Sequence, residues 1–346
     1  MRGLEKITRS NFFIKLRNWE YWPFGILQFP LFFYFFWLAL RSRSLTFFSA
    51  SNPGIAMGGM FGESKYDVIS KIPSAFVPRT KLILLPATSD TVLKTLNQYG
   101  FTFPVIFKPE LGERGFMVKK ITSAADVESY LKKIRINFLV QDFVDLPLEF
   151  GVFYQRYPSQ PNGKVVSIVA KEMLSVTGDG TSTLQQLIMK KDRAKLQWKK
   201  LAEAYRDRLE EVIPAGQSIE LVSIGNHAMG TRFLDGNHLI NDRLSSSFDR
   251  ISKQIDGFYF GRFDVRCASL NDLYEGRVKI MELNGCGAEP AHIYDPAFGL
   301  FKAVGVLFRH WKTIFEISRE NHQAGVRYLS YREALAFYRA FKKAVQ

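Results

Sequence analysis

The sequence predicts an α+β fold. Its 346 residues are 47% apolar and 23% charged, a balance that is typical of globular chains and excludes disordered or collagen-like proteins. Runs typical of strands and runs typical of helices follow one another without the strand–helix–strand rhythm of a doubly wound parallel sheet. The length corresponds to roughly two domains. The two cysteines, Cys267 and Cys286, are too few for a disulfide scaffold and indicate a reducing compartment.

The positive charge is concentrated at the two ends of the chain. The formal net charge is +14. Residues 1–45 contain 7 basic and 2 acidic side chains, and residues 302–346 contain 9 and 3. A nucleic-acid groove would carry its charge on the folded body, so we expect no nucleic-acid partner. Basic ends favour an anionic membrane surface instead.

An uncharged apolar stretch covers residues 24–40, with basic residues on both sides. Its length is at the lower limit for spanning a bilayer. Gln28 and Pro30 weaken a straight spanning helix, whereas Trp19, Trp22 and Trp37 suit the membrane interface. No small-residue cleavage site follows, so we expect no cleaved signal peptide. Three interpretations stay open: a segment lying in the membrane interface, a helix buried against the body, and a true span.

The C-terminal residues predict an amphipathic helix. Its apolar positions recur at helical spacing: Ala334, Phe337, Tyr338, Phe341, Ala344 and Val345. Basic side chains occupy much of the remaining surface, so this helix either lies on a membrane or packs on the domain. We therefore predict three regions: an apolar, membrane-associated region at 1–63, a central domain at 64–300, and a basic helical extension at 301–346.

The central region mixes short strands with helices. Pro73 and Gly100 mark the ends of its first two helices. The predicted elements are, in order, a helix at 64–72, an extended segment at 77–85, a helix at 88–99, strands at 103–109 and 116–121 around a glycine turn, a helix at 126–134, strands at 138–140, 150–155 and 165–171, a long polar helix at 194–212, and paired strands at 261–267 and 278–283.

A lysine at the end of a strand precedes the glycine turn. Lys108 closes the strand, and Gly112 and Gly115 follow with Arg114 between them. Glycines let backbone N–H groups approach phosphate oxygens, and the basic side chains supply positive charge. The segment predicts a phosphate cradle, although a surface turn with an ordinary lysine has the same composition. It is not a Walker loop, because no GKS or GKT follows.

The late pair of strands carries oxygen ligands. Alternation puts Arg262 and Asp264 on one face of the first strand, and Glu282 and Asn284 on one face of the second. In a hairpin, Asp264 and Glu282 would face each other. Two carboxylates and an amide oxygen suit Mg²⁺ that bridges nucleotide phosphates, and Arg262 would stabilise a phosphoryl group in transfer. The alternative is an ordinary cross-strand ion pair.

A third segment combines a strand end with a nearby carboxylate. Gln141, Asp142, Phe143 and Val144 leave the strand in extended form, and Glu149 follows. Exposed backbone groups there can bind an adenine edge, and a carboxylate can accept hydrogen bonds from ribose hydroxyls. An ordinary exit from a strand into a loop accounts for the same residues.

Taken in order, these segments resemble the ATP-grasp superfamily over about two-thirds of the chain, from residue 64 to residue 296. The matching stretches read FPVIFKP, LVQDFV, GRFDV and MELNG. The GDG-containing segment at 176–188 and the loop at 224–232 make the chain most similar to cyanophycin-synthetase-type and D-alanine–D-alanine-ligase-like carboxylate–amine ligases, and to bifunctional glutathione synthases. The resemblance implies two α+β subdomains that grip ATP.

The resemblance also implies the nucleotide contacts. Lys108 would bind the α- and β-phosphates, together with an upstream lysine that is either Lys65 or Lys71, a choice that spacing leaves open. Gly112 and Gly115 would cradle phosphate. The segment from Gln141 through Asp142 and Phe143 to Val144 would be the adenine hinge, and Glu149 would accept the ribose hydroxyls.

The same resemblance implies a metal and catalytic set. Asp264, Glu282 and Asn284 would hold a pair of Mg²⁺ ions, for which Mn²⁺ would substitute. Arg262 would stabilise the transferred phosphoryl group. Lys171 lies where relatives carry a basic phosphate contact.

The implied reaction is an ATP-dependent ligation. A carboxylate would take the γ-phosphate to form an acylphosphate, and an amine, or in some relatives a thiol, would then displace phosphate. We expect a cytoplasmic enzyme that works at the inner face of the cell membrane on small carboxylates and amines. The alternatives are an ATP-grasp phosphotransferase, and a noncatalytic nucleotide-binding scaffold at a membrane.

The chain departs from the family before residue 64, where the domain that often binds the acceptor is much shortened. The glycine-rich residues 52–60 either bind an anion through backbone N–H groups or form a flexible connector. The candidate substrate contacts are Arg232, His227, Glu289 and His292. We expect Cys286 to be a packing residue, because no catalytic base is placed for it.

Overall fold

The computed structural model describes residues 10–112, 115–222 and 225–345, in which twelve α-helices and eleven strands are assigned. The predicted α+β class is confirmed. The helices are α1 Asn11–Arg17, α2 Phe24–Ser42, α3 Lys65–Ser70, α4 Ser89–Gln98, α5 Ala124–Leu131, α6 Leu184–Lys190, α7 Asp192–Lys195, α8 Trp198–Ala204, α9 Asp242–Ser252, α10 Leu270–Glu275, α11 Leu300–Gln323 and α12 Tyr331–Val345. The strands are β1 Thr80–Ile83, β2 Val105–Pro109, β3 Lys119–Ile121, β4 Phe138–Asp142, β5 Leu148–Gln155, β6 Lys164–Glu172, β7 Ser175–Thr177, β8 Ser218–Glu220, β9 Arg232–Asp235, β10 Phe260–Cys267 and β11 Lys279–Asn284.

The first sheet has the strand order β1-β4-β2-β3, and its strand pairs are antiparallel. One face is apolar, and Phe107 and Val140 on that face pack with the buried side chains of α4 and α5. Because side chains alternate along a strand, Lys108 and Gln141 project from the opposite face. The sheet therefore presents a lysine and an amide on the face opposite the one that packs on α4 and α5.

The second sheet has the order β11-β10-β5-β6-β9 and is also antiparallel. Phe263 and Val265 of β10 pack into a core that includes α9. The alternate residues Arg262 and Asp264 lie on the other face, and the register places Asp264 opposite Glu282. The predicted facing pair of carboxylates is therefore present.

The terminal helices pack on the body. Within the described residues, α2 is the one helix whose length and composition would allow it to cross a membrane, with a mean hydropathy of 1.2 over Gly25–Ser42, of which 28% is buried. Its inner face, with Leu31 and Leu38, joins two clusters that contain residues of α11. On α12, Phe337 and Phe341 pack against Phe61, as expected of a terminal helix on the domain.

One prediction about the chain's local structure is wrong, and one segment packs more tightly than its composition indicates. The long helix at 194–212 is divided into α7, α8 and a 3-10 turn at Arg206–Arg208, because its polar sequence lacks a continuous apolar stripe and Trp198 and Leu201 pack on a small local core. The glycine-rich residues 52–60 lie against residues 285–287, where the backbone N–H of Cys286 donates to the carbonyl oxygen of Gly58. A Cβ at Gly285 would meet the backbone of Gly58 and Gly59, so these glycines allow two segments of backbone to touch.

Candidate active site

A cleft of about 950 Å³ lies between the two sheets. The first sheet contributes Lys108 and Gln141, and the second contributes Arg262, Asp264 and Glu282. The predicted phosphate lysine and the predicted metal ligands therefore line the same space, although more than 150 residues separate them in sequence.

Lys108 joins the two sheets. Its side-chain Nζ donates to Gln141 Oε1 at 3.0 Å and to the carbonyl oxygen of Met281 in β11, also at 3.0 Å. Gln141 is held in turn, because its Nε2 donates to Thr80 Oγ1 at 2.9 Å. Burial lowers the pKa of Lys108 to about 8, against the opposing effect of the Glu282 carboxylate. This lysine is thus fixed in place with its charge facing the carboxylates.

Asp264 is the centre of the charge cluster on the second sheet. Lys171 Nζ lies 3.0 Å from one of its oxygens, and Arg262 donates to both at 3.1–3.2 Å. Asn284 Nδ2 donates to the same carboxylate at 3.1 Å. Burial alone would raise the pKa of Asp264, but Arg262 and Lys171 outweigh burial and lower it to about 2. The carboxylate is therefore ionised at neutral pH.

Lys171 bridges two carboxylates. Its Nζ lies 3.1 Å from Glu149 in addition to its contact with Asp264, and its side chain is only 6% exposed. Arg266 donates to the other oxygen of Glu149 at 2.9 Å. Burial opposes the charge of Lys171, but the two carboxylates raise its pKa above the usual value. A buried network of alternating charges thus runs from Arg266 to Arg262.

The donor chemistry of β10 and β11 fits a hard divalent cation. Asp264, Glu282 and Asn284 supply two carboxylates and an amide oxygen on one face of the hairpin. No cluster of three or more His, Cys, Asp or Glu side chains is arranged for a metal within the described residues. Mg²⁺ typically uses one or two protein carboxylates and completes its shell with water and substrate phosphates.

The structure separates the two candidate upstream lysines. Lys65 is the first residue of α3, lines the cleft and donates to the carbonyl of Gly112 in the glycine turn. Lys71 is exposed outside the cleft and donates to the carbonyl of Gly54. Of the two candidates, Lys65 at the start of α3 lines the cleft, whereas Lys71 directly after the helix does not.

The glycine turn lies at the edge of the cleft. Gly112 and Gly115 both line it and adopt positive φ angles of 122° and 72°, which side chains with a Cβ rarely adopt. Arg114, the other basic residue of the predicted cradle, lies outside the described residues.

The predicted adenine hinge is partly in the cleft. Phe143, Val144 and Glu149 line it, whereas Asp142 turns away and forms an ion pair with Arg79 at 3.1 Å. The Asp142 side chain points away because a strand directs neighbouring side chains to opposite faces, whereas the predicted adenine contact is made by backbone groups. The Gln141 side chain is engaged by Lys108 and Thr80, so its role in this structure is to position Lys108.

Two of the four candidate substrate residues line the far end of the cleft. Glu289 accepts hydrogen bonds from Gln28 and Tyr294, and its carbonyl accepts from Arg262 at 3.2 Å. His227 lies 2.8 Å from Glu20. These contacts bring the N-terminal region to the end of the site beyond Arg262.

The other two substrate candidates do not line the cleft. Arg232 is exposed on the edge strand β9 and lies 3.6 Å from Glu172, outside the cleft. His292 is 4% exposed and its Nδ1 lies 2.6 Å from Ser167 Oγ, so it is a buried packing group. Cys286 is buried as expected, and burial raises the pKa of its thiol to about 12.

Sequence reasoning missed the N-terminal wall of the cleft. Trp19, Glu20, Tyr21 and Leu27 line the site, and Arg193 binds both oxygens of Glu20 at 2.7–2.8 Å. Glu20 was recognisable as the one acidic residue between positions 10 and 62, but its partner lies 173 residues away. Pairing over that distance leaves no local pattern.

Comparison with known proteins gives distant similarities. No protein-family model matches the chain. The chain is 25% identical over 167 residues to the glutathione biosynthesis bifunctional protein GshAB of Streptococcus mutans, a match that covers 43% of this chain and 21% of that protein. It therefore spans about a fifth of the length of this curated relative.

The solved structures that resemble the chain include a bifunctional glutathione synthetase from Pasteurella multocida, at 14% identity and a TM-score of 0.35, covering 70% of this chain and 35% of that one. They also include the D-alanine–D-alanine ligase from Bacillus anthracis, at 12% identity and a TM-score of 0.41, covering 76% and 69% of the two chains. The corresponding ligase from Coxiella burnetii has 11% identity and a TM-score of 0.41, covering 84% and 63%.

The chain itself has two antiparallel sheets that border a cleft, with lysine on one side and carboxylates on the other. The sequence match to GshAB covers less than half of this chain, and these similarities are distant.

Proposed function

We propose that this chain is an ATP-dependent ligase that joins a carboxylate to an amine, or to a thiol, through an acylphosphate. The observation that carries the proposal is the meeting of Lys108 from the first sheet with Arg262, Asp264 and Glu282 from the second. Phosphoryl transfer needs alignment and charge neutralisation more than a protein nucleophile. A fixed set of cations and carboxylates around one cleft meets that need.

The nucleotide end of the cleft lies next to the first sheet. We assign phosphate contacts to Lys108 and Lys65, which lie close enough that the charge of Lys65 helps to lower the pKa of Lys108. Two like charges held at one place are stabilised by a polyanion between them. Backbone of the glycine turn adds N–H donors, and Phe143 with Val144 forms the wall against which the base would lie.

We assign Mg²⁺, with Mn²⁺ as its substitute, to Asp264, Glu282 and Asn284. When bound, the ion supplies charge neutralisation and holds phosphate oxygens in line. Lys171 and Arg262 also compensate the charge of Asp264. The Lys171 and Arg262 side chains lie next to the proposed metal ligands, and they are suited to hold the oxygens of the transferred phosphoryl group by charge-assisted hydrogen bonds.

The proposed reaction balances in two displacements. A carboxylate oxygen of the substrate attacks the γ-phosphorus, the bond to the bridging oxygen breaks, and ADP leaves. The amine nitrogen then attacks the acyl carbon, phosphate leaves, and the amine loses a proton. Arg262 is placed for both steps, because it contacts Asp264 on the metal side and the Glu289 carbonyl on the substrate side.

We assign the substrate end to the residues around Glu289 and His227. Trp19 and Tyr294 stack with ring centroids 5.7 Å apart, and the Glu289 carboxylate accepts a hydrogen bond from Tyr294. A carboxylate beside aromatic faces attracts a cationic group such as a protonated amine. The reaction is proposed to occur in the cytoplasm at the inner face of the cell membrane.

The test measures ADP release by the purified chain over a panel of amino acids, hydroxy acids and small peptides. Asp264→Asn and Glu282→Gln should each lower turnover by about a hundredfold or more, as should a chelator, because each weakens the neutralisation of phosphate charge. Asp207→Asn, an exposed carboxylate outside the cleft, is the matched control. Full activity of either cleft variant would refute the metal assignment.

Hydroxylamine separates the proposed ligase from its rivals. A ligase that forms an acylphosphate will yield a hydroxamate from its carboxylate substrate. ADP release with no hydroxamate would identify a phosphotransferase. ATP binding with no turnover across the panel would identify a noncatalytic nucleotide-binding protein.

A further inference from the structure

We propose that the outer face of α2 lies flat in the surface of an anionic lipid bilayer, as a docking face that does not span the membrane. The face consists of Ile26, Phe29, Phe33, Phe36 and Leu40, which recur at intervals of three and four residues. Their exposed fractions are between 55% and 77%. Large apolar side chains at this spacing form a continuous stripe along one side of a helix.

The opposite side of α2 is already occupied. Leu27, Leu31 and Leu38 are at most 8% exposed, and they belong to clusters that include Leu307 and Ile314 of α11. A helix that crossed the bilayer would have to withdraw these side chains from the protein core. Withdrawal would uncover the apolar side chains of α11 that α2 covers, at about 2 kcal/mol for each leucine-sized side chain exposed to water, so the packed position is favoured. The geometry therefore points to insertion of one face alone.

Charge selects an anionic lipid surface over a protein partner. Lys15 and Arg17 precede α2, and Arg41 and Arg43 lie at its end, all exposed. Glu20 is the one acidic residue between positions 10 and 62, and its carboxylate is buried against Arg193. Each basic side chain near an anionic leaflet contributes to binding, and the helix between them offers apolar depth.

Aromatic residues at the edges of the face agree with an interfacial position. Trp37 is 48% exposed, and the guanidinium of Arg41 lies 4.8 Å from its ring centroid. Phe12 of α1 is 68% exposed and extends the apolar surface toward the N-terminus. Tryptophan beside arginine is typical of the headgroup layer, where one group meets hydrocarbon and the other meets phosphate.

The first experiment measures sedimentation of the full chain with vesicles, without nucleotide. The chain should bind vesicles of phosphatidylcholine mixed with phosphatidylglycerol and bind pure phosphatidylcholine more weakly. The variant Phe29→Ser/Phe33→Ser should lose about tenfold in partition for each residue. Arg17→Gln/Arg43→Asn should lose about fivefold for each charge on anionic vesicles alone.

Controls keep folding, dimerisation and catalysis apart from docking. Leu84→Ser is the matched control, since Leu84 is 64% exposed at the end of β1, far along the chain from α2. Circular dichroism checks that each variant is folded. Vesicle binding that is unchanged in Phe29→Ser/Phe33→Ser overturns the proposal. A second contrary outcome is a wild-type chain that does not bind vesicles but forms a dimer, which this variant dissociates. The readout needs no turnover, so a failed ligase assay leaves it intact.

The second experiment decides between lying and spanning. Arg17→Cys and Arg43→Cys are made separately, and each is treated with a membrane-impermeant maleimide outside sealed vesicles. Cys267 and Cys286 are buried, so the new thiol is the accessible one within the described residues. Labelling at both positions is expected for a helix in the interface. Protection of one position would mean that the helix spans, and would overturn the proposal.

Discussion

Replacing Asp264 by asparagine removes the negative charge at the centre of the buried network. The side chain is 9% exposed and is held by Lys171 and Arg262. Asparagine resembles the protonated carboxyl in size, so the variant measures what the charge contributes to folding. The pKa of Asp264 falls from 3.8 to about 2, and each unit corresponds to about 1.4 kcal/mol. Asp264→Asn should therefore lower the free energy of unfolding by about 2 kcal/mol at pH 7.

The pH dependence of this difference is the sharper part of the prediction. A carboxyl whose pKa is depressed by folding stabilises the protein fully above its unfolded pKa of 3.8, and the stabilisation is lost as the pH falls through about 2. Urea unfolding at several pH values should show a gap of about 2 kcal/mol between the wild-type chain and Asp264→Asn above pH 4. The gap should close toward pH 2.

Asp207→Asn controls for general loss of negative charge, because Asp207 is exposed and lies outside the cleft. It should leave the free energy of unfolding within about 0.5 kcal/mol of the wild-type value. A gap for Asp264→Asn that stays constant with pH, or no gap at neutral pH, would refute the claim that Lys171 and Arg262 hold the carboxylate ionised.

Two further predictions concern the rim of the cleft. Lys65→Met should raise the KM for ATP by about tenfold or more, because it removes a charged contact that is proposed to bind phosphate. Lys71→Met should leave the KM unchanged. Steady-state ADP release measures both, and equal effects of the two substitutions would contradict the separation of the two lysines. Glu20→Gln should lower the free energy of unfolding by about 3 kcal/mol, because it leaves the buried Arg193 without its carboxylate partner. Urea unfolding measures the difference, and Glu203→Gln, at an exposed position, is the control.

Strand alternation is sufficient to predict that the two carboxylates of the candidate site face each other. The period of two along β10 and β11 places Asp264 and Glu282 at facing positions of a hairpin, and the observed register confirms it. The same rule, applied to the strand end at residues 141 and 142, sends Gln141 and Asp142 to opposite sides. The prediction that both belong to the adenine hinge depended on the resemblance to a family and did not use this alternation.

Helix phase and long-range packing cannot be predicted in the same way. Lys65 and Lys71 lie on one short helical segment, and which of them faces the cleft depends on how α3 docks. His292 and His227 look equivalent in sequence, yet one is enclosed beside Ser167 and the other reaches Glu20. These outcomes depend on contacts between residues that are between 17 and 207 positions apart, which a single sequence does not encode in any local pattern.

The N-terminal region contributes to the site through the inner side of α2. Gln28 on this helix is 6% exposed and donates to the Glu289 carboxylate, while Phe29, its neighbour in sequence, is 63% exposed on the outer face. Successive residues of a helix are rotated by about 100° around its axis, so neighbouring residues on the same turn can face the protein and the solvent. The side chains proposed to meet lipid and the side chain that holds Glu289 are therefore rigidly connected. A shift of α2 on its α11 support would move the proposed substrate end of the cleft, whereas the proposed nucleotide end, which is built on the first sheet and held by Lys108, would stay in place.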